Sequence, residues 1–145
     1  MKRLCSTAAL ALLALPALAQ PTPVGLWRNV DDKTGEVRAE IRISDNGSGV
    51  LSGRIERLLG KDADPKALCT ECSDDRKNLP VLGLEIIRGA RKADSGAVWE
   101  GGRILDPDNG WTYALRLTPV DDGRKLDVRG AIGPFGRTQT WLRVQ

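Results

Sequence analysis

The feature that most constrains the fold is a repeated alternation of apolar and polar residues, interrupted at short intervals by turn signals. In 37–43, Val, Ala and Ile residues alternate with Arg and Glu, and in 111–117 Trp, Tyr and Leu residues alternate with Thr, Ala and Arg. Segments such as Asp45-Asn46-Gly47 and Asp121-Asp122-Gly123 supply residues that favour turns and positive φ. Alternation between such turns is typical of strands that bury one face.

This pattern predicts an all-β fold with eight strands. Because most connections are short, consecutive strands should be antiparallel, and eight such strands suit a small closed up-and-down barrel. We predict one barrel domain over residues 20–145. The predicted strands are 25–30, 37–43, 49–58, 82–90, 97–105, 111–117, 124–132 and 138–144.

One connection, residues 59–81, is much longer than the others. It has no clear period, and it contains Cys69 and Cys72. A loop of this length in a compact domain is usually functional, disordered or locally cross-linked. The preferred interpretation is a disulfide that closes a tight turn within the loop. A redox-active Cys-x-x-Cys and a metal site completed by acidic residues of the loop are alternatives.

The first 19 residues predict a signal peptide. Lys2 and Arg3 precede an apolar segment over 8–15, and Ala17-Leu18-Ala19 is the small-x-small pattern of a cleavage site. The apolar segment is too short to span a bilayer, and no later segment is apolar enough. We therefore expect cleavage after Ala19 and a periplasmic or secreted protein, in a compartment where the cysteine pair would be oxidised.

Charge and composition exclude several classes of function. Removing Lys2 and Arg3 takes the 22 basic residues to 20, against 19 acidic ones, and no basic block indicates a nucleic-acid partner. The sequence has no histidine, which excludes Ser-His-Asp and Cys-His catalysis. An enzyme would need carboxylates, such as Glu85 with Asp106 or Glu100. We predict no cofactor and no metal, and expect a monomer.

A candidate ligand pocket is predicted around Trp99, because the adjacent Gly101-Gly102 indicates a bend or a close approach in that strand. Strand arginines that face a cavity would favour an anionic group on a ligand. The alternative is that the aromatic residues are core anchors. The candidate pocket residues are Arg88, Trp99, Arg103, Trp111 and Tyr113.

Four segments, together with the Cys-x-x-Cys, resemble a known family. The segments are Gly25-Leu26-Trp27-Arg28, Gly83-Leu84-Glu85-Ile86, the stretch from Trp99 to Pro107, and the stretch from Gly133 to Trp141. They resemble the secreted bacterial family catalogued as domain of unknown function 2147, over nearly all of the mature chain. This resemblance implies a secreted barrel and carries no established reaction.

The first predicted strand is also similar to that of lipocalin-like proteins of the calycin group, which carry Gly-x-Trp there. In that group a basic residue near the end of the chain packs across the indole. The resemblance implies that Gly25 and Trp27 close the barrel with Arg137 or Arg143, through a cation–π contact.

The leading functional hypothesis is a non-enzymatic binding barrel for a small apolar or anionic molecule. One alternative is a protein-interaction or inhibitor module that presents residues 59–81 to a partner such as an envelope protein. The other alternative is a carboxylate-based enzyme.

Overall fold

A computed structural model describes residues 19–145 as eight antiparallel strands closed into one barrel, which confirms the predicted fold class. The predicted signal peptide lies outside the described residues except for Ala19. Among residues 19–145, no helix is long and apolar enough to cross a membrane. The elements are β1 (Gly25–Val30), β2 (Val37–Asp45), β3 (Val50–Leu58), β4 (Glu85–Lys92), β5 (Trp99–Leu105), β6 (Thr112–Val120), a 3₁₀ turn (Asp121–Gly123), β7 (Lys125–Ile132) and β8 (Phe135–Arg143).

Each strand pairs with its neighbours in sequence, and β8 returns to β1. The returning ladder is short and joins Trp27 to Arg143 and Arg28 to Leu142. The alternating apolar residues point inward and form one core, as their period of two requires. Fully buried members of this core include Trp27, Ile41, Ile43, Leu117, Leu126 and Trp141.

All eight predicted strands are present, but most of their ends differ from the prediction by one to three residues, and β4 begins at Glu85 instead of residue 82. Two of these differences have a local cause. β8 begins at Phe135 because Gly133 and Pro134 alone form the turn, with Gly133 at a φ of 55°. β6 begins at Thr112, because Trp111 belongs to the preceding turn: its N–H donates to Asn109 Oδ1 at 2.8 Å. In both places a local turn geometry decided where pairing starts.

The paired glycines mark a close approach between β4 and β5, as their sequence predicts. A Cβ added at Gly102 would lie 2.5 Å from the backbone N of Ala90 and 2.6 Å from the carbonyl O of Arg88. The neighbouring Gly101 has a φ of 79°, and the register with β6 shifts there. Glycine is therefore required at this point for the two backbones to pack.

The long loop, residues 59–81, is folded around the predicted disulfide. Cys69 and Cys72 are bonded, with Cα atoms 5.4 Å apart, and both residues are buried. The Cys69 N–H donates to the Leu79 carbonyl at 2.8 Å, which ties the two arms of the loop together. Cys69 Sγ also lies 3.8 Å from the carbonyl O of Pro107, so the loop packs on the turn between β5 and β6.

An ion pair and a hydrogen bond hold the long loop against β4. The Arg76 side chain is buried, pairs with Asp74 at 2.5 Å and donates to the Glu85 carbonyl at 2.9 Å. Arg88 of β4 donates to both carboxylate oxygens of Asp75, each at 2.9 Å. A bidentate pair of this kind fixes orientation as well as distance.

Arg143 joins the parts of the chain that meet where the barrel closes. Its guanidinium carbon lies 4.1 Å from the centroid of the Trp27 ring. Its N–H groups donate to the carbonyl oxygens of Gly123 at 2.5 Å, Val24 at 2.9 Å and Thr22 at 2.7 Å. One side chain therefore connects the segment before β1, the turn between β6 and β7, and the last strand.

Replacement of Arg143 by lysine should destabilise the protein by about 2 kcal/mol, because a lysine ammonium cannot reach three carbonyl groups in the planar geometry of a guanidinium. Urea unfolding followed by tryptophan fluorescence measures this loss. Arg91→Lys is the matched control: Arg91 is exposed on β4 and makes no side-chain hydrogen bond or ion pair within the described residues. It should change stability by less than about 0.5 kcal/mol. Equal effects of the two changes would contradict the role given to Arg143.

The Asp74–Arg76 pair should make the stability of the protein depend on pH in the acidic range. The Arg76 hydrogen bonds lower the pKa of Asp74 from 3.8 to about 2 in the folded protein. The contribution of this pair to stability is therefore fully present above the pKa that Asp74 has in the unfolded chain, and it is lost as the pH falls towards 2. We expect Asp74→Asn to be less stable than the wild type at pH 6, with a difference that shrinks between pH 4 and pH 2.

Denaturant midpoints across this pH range provide the measurement. Asp62→Asn, an exposed change in the same loop, should leave the pH profile unchanged. A stability difference for Asp74→Asn that stays constant down to pH 2 would show that the pair contributes nothing through ionisation.

Candidate functional site

A cavity of about 570 Å³ lies inside the barrel and is open at one end. This volume is within the range of pockets that hold small molecules. Its walls are mainly aliphatic, and the end that opens is the one where the long loop leaves β3. The apolar walls include Ile41, Ile55, Ile86, Ile104, Val128 and Trp141.

The two ends of the barrel differ because the inward residues differ in size. The closed end contains Trp27 and Trp99, both buried. The indole N–H of Trp27 donates to the carbonyl O of the buried Pro23 at 2.7 Å. The open end has Ala39 and Gly130 at inward positions. Large side chains therefore fill one end and leave space at the other.

A small polar cluster lies on one wall of the cavity, across the seam between β1 and β8. Asn29 Nδ2 donates to Gln139 Oε1 at 2.9 Å, and the indole N–H of Trp141 donates to the same oxygen at 3.1 Å. All three residues line the cavity. The cluster gives an otherwise apolar chamber a defined polar position.

We use "the mouth" for the open end of the cavity, and two arginines there are already paired. Arg38 of β2 pairs with Asp108 of the β5–β6 turn at 3.0 Å. Arg137 of β8 pairs with Asp32 of the β1–β2 turn at 2.5 Å. Both arginines line the cavity, and each is neutralised by an aspartate of the protein.

A third acid at the mouth, Asp31, is held in its ionised form. The backbone N–H groups of Thr34 and Lys33 donate to its carboxylate, and these bonds lower the pKa of Asp31 below its ordinary value. Asp106 also lines the cavity. The mouth therefore carries no excess of positive charge.

An apolar lip follows the β7–β8 turn at the mouth. The Phe135 side chain is 80% exposed and Ile132 is 46% exposed, and both line the cavity. A large apolar side chain so exposed at a pocket entrance is suited to contact an incoming apolar molecule.

Of the five residues predicted for the pocket, the structure places Tyr113 on the cavity wall. Trp99 lies in the core at the closed end, with the Lys92 ammonium 5.6 Å from its ring centroid. Trp111 is on the exposed turn before β6, with 60% of its surface accessible.

The two predicted pocket arginines lie on the outside of the barrel. Arg103 donates to the carbonyl O of Thr112 at 2.9 Å, and Arg88 binds Asp75 of the long loop. They pair with one another in the register of β4 and β5, so they share one face, and it is the outer face. Neither lines the cavity.

The residues predicted to close the barrel occupy two different places. Arg143 lies over Trp27, and a Cβ at Gly25 would overlap the Arg143 guanidinium, so the glycine leaves room for this contact. Arg137 lies instead at the mouth, where it pairs with Asp32.

The carboxylates considered for catalysis do not converge. Glu85 pairs with Arg54 at 3.1 Å and Glu100 with Arg116 at 3.1 Å, whereas Asp106 lines the cavity. Among residues 19–145, no group of three or more Cys, Asp or Glu side chains is arranged to hold a metal ion.

Sequence reasoning missed Asn29 and Gln139. Their positions in the strands could have indicated them: Asn29 is two residues after Trp27, and Gln139 is two residues before Trp141, so each shares a strand face with an inward tryptophan. A polar residue on the inward face of a strand is the pattern that marks such a group.

Comparison with known proteins agrees with the architecture. The structure is similar to that of a protein described as "Protein HP1028 from the human pathogen Helicobacter pylori belongs to the lipocalin family", with a TM-score of 0.72 and 15% sequence identity. The match covers 87% of this chain and 85% of that one, and at this identity it shows a shared fold. No curated protein matches the sequence.

The family model described as "Uncharacterized protein conserved in bacteria (DUF2147)" matches residues 25–143, from the first residue of β1 to the last of β8. Because the match spans the whole barrel, the protein belongs to the DUF2147 family, and its fold is lipocalin-like.

Proposed function

We propose that the protein binds one small, largely apolar molecule inside its barrel. The observation that carries this proposal is the open cavity of about 570 Å³, which has mainly aliphatic walls, a polar cluster on one wall and charged side chains at the mouth. Pockets that hold small ligands have this composition, in which apolar surface supplies affinity and a few polar groups fix orientation. The lipocalin-like fold supports the proposal, since eight-stranded barrels are wide enough to hold one small ligand.

An uncharged ligand fits the mouth better than an anion. Arg38 and Arg137 already pair with Asp108 and Asp32, so an anionic ligand would have to displace one of these carboxylates. The ionised Asp31 would also repel it. We therefore favour a neutral molecule.

We propose that this binding takes place in the periplasm or outside the cell. Two features support this location: the signal-peptide pattern of the first 19 residues and the disulfide of the long loop, a bond that persists in oxidising compartments.

A second candidate function is the binding of another protein by the long loop. The disulfide, the Arg88–Asp75 ion pair and the Arg76 hydrogen bond to β4 order the loop, while Leu68 and Leu79 are 49% and 44% exposed. Ordering in advance lowers the entropic cost of binding. If the loop is the interface, Leu68→Ser with Leu79→Ser should abolish capture of a purified envelope-protein partner and leave the cavity unaffected.

The cavity proposal is tested with N-phenyl-1-naphthylamine, a neutral apolar dye that fluoresces in apolar surroundings. The protein should give saturable binding of one dye molecule per chain. Ile104→Trp places a large side chain in the cavity wall and should weaken dye binding about tenfold, since the added volume removes room for the ligand.

Leu142→Trp is the matched control, because Leu142 is an exposed residue of β8 outside the cavity. It should bind dye as the wild type does. Absence of saturable binding to the wild type, or binding to Ile104→Trp that equals the control, would overturn the proposal.

A further inference from the structure

The polar cluster in the cavity has a fixed hydrogen-bond polarity. The indole N–H of Trp141 is only a donor, so the Gln139 atom that it contacts at 3.1 Å must be the oxygen, Oε1. The Asn29 atom 2.9 Å from that same oxygen must then be the amide nitrogen, Nδ2. Rotation of either amide by 180° would place two donors or two acceptors against each other.

Each of the two amides is left with one unused end. Gln139 retains its Nε2 donors and Asn29 retains its Oδ1 acceptor, and neither atom has a hydrogen-bond partner within residues 19–145. No buried side-chain N or O atom in this part of the chain lacks a partner, so both of these atoms must be accessible to solvent. Both residues line the cavity, one from β1 and one from β8.

A ligand that displaces water from the cavity must satisfy these two atoms. A polar group left buried without a partner costs more than the net gain of an ordinary hydrogen bond. A purely apolar molecule would therefore be disfavoured at this wall. A molecule that presents an acceptor to Gln139 Nε2 and a donor to Asn29 Oδ1 would be favoured.

We propose that the cavity selects apolar molecules that end in a neutral primary carboxamide. The carbonyl oxygen would accept from Gln139 Nε2, one N–H would donate to Asn29 Oδ1, and the apolar body would contact the aliphatic walls. A primary amide has an acceptor beside a donor and no charge, which suits a mouth whose arginines are already paired. This inference rests on the proposed function and names the ligand class of the same cavity.

The test compares octanamide with nonan-2-one, which has the same shape but a methyl group in place of the amide NH₂. Each ligand displaces N-phenyl-1-naphthylamine from the wild type and from Asn29→Leu. We expect Asn29→Leu to weaken octanamide about tenfold and to leave nonan-2-one unweakened or bound more tightly, because the ketone buries the Asn29 acceptor without a partner in the wild type and the leucine removes that acceptor. Equal changes for the two ligands would overturn the inference.

A second variant tests the polarity itself. Gln139→Glu keeps the acceptor for Trp141 and Asn29 but replaces the Nε2 donor with an oxygen. It should lose affinity for octanamide and gain affinity for octylammonium, which carries donors only. Unchanged preference for octanamide would contradict the assigned donor.

The Ile104→Val variant and the dye together separate failure of the inference from failure of the proposed function. Ile104→Val alters the apolar wall and should weaken octanamide and nonan-2-one by the same factor. If the dye and nonan-2-one bind to the wild type but neither amide substitution changes the affinity for octanamide, the proposed carboxamide selectivity is wrong. The proposed binding of a small molecule in the barrel is then still supported. If no ligand or dye binds to the wild type, the proposed function fails and the inference fails with it.

Discussion

The rest of the structure depends on closure of the barrel between β1 and β8, where the Arg143 guanidinium lies over the Trp27 ring, because without this closure the sheet would have two open edges. The ladder between β1 and β8 is short, and the Arg143 guanidinium, which donates to three carbonyl groups, reinforces it. Stacking on the indole ring adds a cation–π interaction. Closure removes the exposed strand edges that make an open sheet prone to association.

Closure also determines where the chain can hold a ligand. The end beneath Trp27 is filled by aromatic side chains and by the segment before β1, so space is left only at the opposite end. There the long loop is braced by its disulfide and by the carboxylate pairs of Arg76 and Arg88. This bracing keeps the loop packed on the β5–β6 turn at the side of the mouth. The barrel wall and the cross-linked long loop therefore surround the open end of the cavity.

The sequence predicted the architecture well and the pocket poorly, for a physical reason. Alternation shows which residues share a face of a strand, so the barrel and its eight strands followed directly. It does not show which end of the barrel a residue occupies, and Trp99 is inward but at the filled end. It also does not show where bulges shift the register, as between Gly53 and Arg54 beside β4, and Arg88 of β4 lies on the outer face of the barrel. Asn29 could have been predicted, because it lies two residues after the inward Trp27 and so shares its face of β1.

The polar pair in the cavity has a consequence for how the protein is made. Asn29 and Gln139 are separated by 110 positions in sequence, and they come from the first and the last strand. Contacts between residues so far apart require most of the chain to be ordered first. A chain whose last strand is not yet in place therefore lacks this polar pair. The polar pair, and with it the ligand selectivity that we propose, forms only when the first and last strands meet, so it marks a chain that has finished folding.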